Sequence, residues 1–157
     1  MNFAELFPTL YFSFPYQLGI QTIWVMIGII PVVVFLALVH ECGHFFFGKV
    51  FDCQPKFQAF ALENKIRNFI SPFSINYDDS KVAIQPMWKY RLIVTGGVLF
   101  EVPIGLMTYW LGATLQPGLL GSVLVIGSFF RLVTTIPVNL IPIEQLKNDG
   151  YQLFNRP

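Results

Sequence analysis

Between Glu5 and Glu41 the chain carries no charged side chain. The helix this predicts, from about Ile20 to Phe47, is long enough to cross a bilayer core, which takes about 20 apolar residues. Two further apolar stretches follow at about 90–115 and 119–143. Composition points the same way. Hydrophobic residues make up 54% of the 157 residues and charged ones 12%, about half the share usual in a soluble domain. With a mean hydropathy of +0.58, the apolar excess is too large for the interior of a water-soluble globule of this size. The expected fold is an α-helical multi-pass membrane protein: one domain, residues 1–157, with a three-span core. A net charge of +1 lacks the basic excess of a nucleic-acid binder.

Aromatic residues bracket the second span. Trp88 and Tyr90 stand at one end, Tyr109 and Trp110 at the other, and Trp88 to Tyr109 rises about 31 Å, close to the hydrocarbon thickness. The joint Gln116 to Gly121 is short and uncharged, so spans two and three form a tight hairpin. Lys49, Lys56, Lys65, Arg67, Lys81 and Lys89 lie between spans one and two, and Arg91 at the very start of span two. By the positive-inside bias this segment faces the cytoplasm, the N-terminus faces out, and the tail at 144–157 returns inside. An integral protein of the cell membrane is expected. Residues 1–19 read as an interfacial segment, since they lack the positive region of a secretory signal. The segment 48–89 reads as a small β-sheet at the membrane surface, with β-leaning stretches at Phe57–Leu62, Ile66–Ile70, Phe73–Tyr77 and Val82–Ile84. Turn formers, among them Asp78-Asp79-Ser80, separate them. Cys42 and Cys53 are expected to stay reduced on the cytoplasmic side.

The only two histidines lie four residues apart, in His40-Glu41-Cys42-Gly43-His44. On a helix, positions i and i+4 share a face, so both imidazoles can hold one metal ion, while the intervening glutamate handles the proton of a water. Ionisable groups near membrane depth are costly, about 2.5–3.5 kcal/mol each on insertion scales, which marks the cluster as functional. A catalytic zinc takes three protein ligands and leaves a position open. With no histidine left, the third ligand must be Asp, Glu or Cys. Asp149, beyond the end of span three, arrives on the same side as the histidines. Glu101 and Arg131 lie within spans two and three at similar depth, and pairing would offset the cost of burying both.

His-Glu-Cys-Gly-His at the end of one span, with Asn139-Leu140-Ile141-Pro142 and Asp149-Gly150 at the end of a later one, resembles the site-2 protease family of intramembrane zinc metalloproteases (peptidase family M50). The resemblance covers the three-span core. It implies one zinc ion held by His40, His44 and Asp149, Glu41 as the base that activates water, and Asn139 beside the site, holding substrate. It also implies membrane-anchored protein or peptide substrates, partly unwound before cutting. The Lys and Arg distribution puts that cut near the cytoplasmic face, and the β segment there either supplies an edge strand that pairs with the substrate or only caps the helices. The partners expected are that substrate, the bilayer and a regulatory membrane protein. Two features depart from the family pattern. Six residues separate Pro142 from Asp149 where four are usual, leaving Glu144 as an alternative ligand, and Gly96-Gly97 stands where the middle helix often has Gly-Pro. The competing expectation is a catalytically inactive zinc-binding protein that holds a partner helix.

Overall fold

A computed structural model of the chain describes residues 20–59, 73–116, 118–142 and 148–154. Three long helices dominate: α1 (Ile20–Val50), then, beyond a short surface segment, α3 (Met87–Thr114) and α4 (Leu119–Leu140). That segment holds β1 (Lys56–Ala59), β2 (Phe73–Asn76) and the short helix α2 (Asp79–Ala83). A last helix, α5 (Asp149–Phe154), follows α4. All three long helices have the length and apolarity to cross a membrane. Their outer faces fit that reading: Trp24, Met26, Ile30, Met107, Trp110 and Leu120 are each more than half exposed. In water such a surface would be a liability; against lipid tails it is the ordinary solvent-facing side.

Buried residues on α1 recur every four positions, as Val32, Leu36, His40, His44 and Gly48. Residues i and i+4 stack on one face, so a single stripe turns inward and carries both histidines. The helix runs three residues beyond the expected end at Phe47, and it remains helical through Pro31. It stops in a Schellman turn. Cys53 N–H donates to the Gly48 carbonyl at 2.8 Å and Asp52 N–H to the Lys49 carbonyl at 3.1 Å. Asp52, at φ 55°, takes the left-handed position usually filled by glycine.

Helices α1 and α3 meet with no side chain between them. A Cβ on Gly43 would overlap the Gly96 carbonyl oxygen, and one on Gly96 would stand 2.7 Å from the Phe47 ring. Gly43 and Gly96 let the two backbones touch, the usual device for helix packing in lipid.

β1 and β2 pair antiparallel, Lys56 opposite Asn76 and Ala59 opposite Phe73. Phe57–Leu62 thus contributes a strand at 56–59, and Phe73–Tyr77 one at 73–76. The expectation of a strand at Val82–Ile84 fails: Val82 and Ala83 lie in α2. The Asp78-Asp79-Ser80 turn is a helix start, with Asp78 as N-cap accepting from Ser80 N–H at 3.1 Å. A capping carboxylate satisfies orphan donors of the first turn, and local capping here outweighs the β-preference of one valine. The interfacial segment at 1–19, the strand at Ile66–Ile70 and Glu144 fall outside the described residues. Beneath the sheet, Cys53, Val82, Tyr90, Ile93 and Val94 form a buried cluster with Phe47, Phe51, Tyr77 and Leu153 packed against it. This cluster ties the surface segment to the ends of α1 and α3. Cys42 and Cys53 are both free thiols.

Candidate metal centre

His40 and His44 present their rings edge to face, with centroids 4.8 Å apart. Their Nε2 atoms are 3.1 Å from each other. Asp149 Oδ2 lies 3.1 Å from His40 Nε2 and 3.2 Å from His44 Nε2. Three ligand atoms thus close a nearly equilateral triangle.

The outer nitrogens fix what these atoms carry. His44 Nδ1 is 2.8 Å from the Ile93 carbonyl, which can only accept, so Nδ1 bears the proton. His40 Nδ1 is 2.8 Å from Glu101 Oε2 and donates to that carboxylate in the same way. In both neutral rings the lone pair then sits on Nε2. Two lone pairs and a carboxylate oxygen facing one another at 3.1–3.2 Å repel unless a cation stands among them. Ligands about 2.0–2.1 Å from a tetrahedral zinc lie about 3.3–3.4 Å apart, so the triangle is close to the size that ion requires. Imidazoles that donate Nδ1–H to a carboxylate or carbonyl are also the usual outer shell of zinc-binding histidines. The residues fit a zinc ion.

Asp149 is brought to the histidines by its neighbour in the chain. Asn148 acts as a clamp between two helices. Its side-chain amide donates to the Ile141 carbonyl at 2.7 Å and to the Val138 carbonyl, both at the end of α4. Its Oδ1 accepts from Tyr151 N–H at 3.1 Å, capping α5. Asp149, the first residue of α5, is thereby pinned to the end of α4 and aimed at α1. Gly150 does not take a left-handed turn. It lets α5 lie directly on the chain, since a Cβ there would stand 2.6 Å from the Leu140 carbonyl oxygen.

Glu41 is buried and lines a cavity shared with His44 and Asp149. Asn139 Nδ2 approaches His40 Nε2 to 3.4 Å, too long for a strong hydrogen bond but directly beside the triangle. All five residues expected at the site are therefore gathered around one point. Gly97 makes room for them: a Cβ there would stand 2.5 Å from His44 Nε2 and closer still to His40 Nε2. Gly97 is also the residue four positions after Ile93, so it leaves the Ile93 carbonyl uncovered for His44.

Glu101 and Arg131 do pair, Oε1 to Nε at 2.6 Å, with both side chains buried. The pair also reaches the site, because the other oxygen of Glu101 holds His40. Sequence depth alone could match Glu101 with Arg131; the third member of the chain needed the fold. Losing an outer-shell partner typically costs 10- to 100-fold in metal affinity. Glu101→Gln is therefore expected to weaken zinc binding about 10- to 100-fold, measured by competition with a chromogenic chelator in detergent micelles.

Comparison with protein-family models, curated proteins and solved structures finds no match to this chain.

Proposed function

We propose that the protein is an intramembrane zinc metalloprotease of the site-2 protease kind, hydrolysing peptide bonds of membrane-anchored proteins or peptides. One observation carries this reading: two Nε2 lone pairs and a carboxylate oxygen converge at 3.1–3.2 Å, with the buried carboxylate of Glu41 on the adjoining cavity. Structural zinc sites usually have four protein ligands, whereas three with an open position suit catalysis.

Zinc bound there would act as a Lewis acid and lower the pKa of water to about 7. Glu41 takes a proton from the attacking water as the new carbon–oxygen bond forms, and passes it to the departing amine nitrogen as the carbon–nitrogen bond breaks. Asn139, beside His40, is placed to hold the substrate backbone through its amide. Glu101, held by Arg131, keeps the His40 ring in one orientation and one tautomer. Ile75 of β2 lines the same cavity, which favours an extended substrate running beside that strand. The Lys and Arg residues between spans one and two favour a site near the cytoplasmic face of the cell membrane.

Zinc content of the purified protein tests the ligand set. Wild type is expected to hold one zinc per chain, and His44→Ala and Asp149→Asn less than about a tenth of that. Full retention of zinc by the aspartate variant would remove Asp149 from the set and, with it, the proposed centre.

A further inference from the structure

Tyr77 lines the cavity beside the metal ligands, and the steps above do not use it. The cavity has a volume of about 50 Å³ and is lined by Glu41, His44, Asp149, Ile75, Ile93 and Tyr77, among others. That is room for a water-sized group. Among the described residues, the Tyr77 hydroxyl alone is a buried side-chain polar group without a hydrogen-bond partner. Buried tyrosine hydroxyls normally find one.

The ring is firmly mounted. It lies on Gly48, where a Cβ would stand 2.6 Å from the ring edge. Gly48 is the next position after His44 on the buried stripe of α1, so the phenol sits one turn beyond the ligand. On the chain side, Tyr77 directly follows β2, and the next residue donates its N–H to the Cys53 carbonyl at 3.2 Å. A phenol fixed this way, with its donor unspent, is suited to a partner that arrives with the substrate.

We propose that Tyr77 is a further catalytic residue, whose hydroxyl donates a hydrogen bond to the substrate carbonyl oxygen as that carbon becomes tetrahedral. This rests on the hydrolase reading above. No proton is transferred: the phenol keeps its hydrogen throughout and donates more strongly as negative charge grows on the oxygen. Burial raises the Tyr77 phenol above its ordinary range, and the charges of Glu41 and Asp149 add to the effect, so it remains a donor at any working pH. Asn139 approaches from the end of α4 and Tyr77 from the sheet, so the two donors come from different elements.

The test compares wild type, Tyr77→Phe and Glu41→Gln as purified full-length proteins in detergent micelles, with a fluorescein-labelled peptide carrying a single membrane helix in the same micelles as the probe. Removing one donor to a developing oxyanion typically lowers kcat by about 10²–10³. Tyr77→Phe is expected to lower kcat about 100-fold, leave KM within about threefold, and keep one zinc per chain with an unchanged or higher Tm. A kcat within about threefold of wild type overturns the role of Tyr77 and leaves the hydrolase reading standing. Loss of zinc from Tyr77→Phe also overturns it, by assigning the residue to support of the metal ligands. Wild type no faster than Glu41→Gln overturns the hydrolase reading, and the role of Tyr77 falls with it.

Discussion

Glu41→Gln is expected to leave one zinc per chain in place and to lower proteolysis by about 10²–10⁴, the usual contribution of a positioned general base. Glutamine keeps the shape and the polar character of the buried side chain but cannot accept a proton. The ligand triangle of His40, His44 and Asp149 does not include Glu41, so zinc binding should be unaffected. Wild type and variant, expressed in the same cells, can be compared by mass spectrometry of newly formed termini on membrane proteins. Termini that depend on wild type and vanish with the variant are the expected result. If no such termini exist while both proteins carry zinc, the chain is a zinc-binding protein that holds a partner helix, and hydrolysis is ruled out.

Gly97→Ala should have the second-largest effect. Its new methyl group would enter the space where the two Nε2 atoms face each other. The imidazoles cannot withdraw, because each is tethered through Nδ1, one to Glu101 and the other to the Ile93 carbonyl. Zinc content is expected to fall below about a tenth of wild type, with proteolysis lost in parallel. Gly105→Ala, on the same helix, is the control. Its Cβ would meet only the Leu132 side chain, nearest at a terminal methyl 2.8 Å away, and that side chain is not part of the site. Overpacking of that kind costs about 1–3 kcal/mol and should leave zinc content unchanged. Equal loss from both variants would mean that α3 tolerates no added methyl group anywhere, and the specific role of Gly97 would be lost.

What the chain disclosed in advance was whatever depends on local pattern. Three apolar stretches carry their own length signal, and two histidines four apart on a helix necessarily share a face. Asp149 was within reach because the count of spans puts the end of the third on the same side as the end of the first. Less legible were features made by packing between distant segments. Nothing near Gly97 says that its missing side chain makes room for two imidazoles more than fifty positions earlier. Asn148 could be read as an ordinary polar residue before a turn, yet its amide joins two helices. Tyr77 belonged to a β-leaning stretch, and its place beside the cavity depends on Gly48. The misread Val82–Ile84 shows the reverse limit: β-preference described the residues correctly, but the aspartate ahead of them decided the backbone.

The chain of contacts from Arg131 through Glu101 to His40, and from His40 on to Asp149, has a consequence for biosynthesis. The ribosome releases the two imidazoles with the first hydrophobic helix, but the arginine arrives only with the last and the carboxylate only after it. A half-made chain in the insertion machinery therefore holds an incomplete centre. Under the proposed function, hydrolytic power would be switched on by assembly itself, once Arg131 and Asp149 have reached His40.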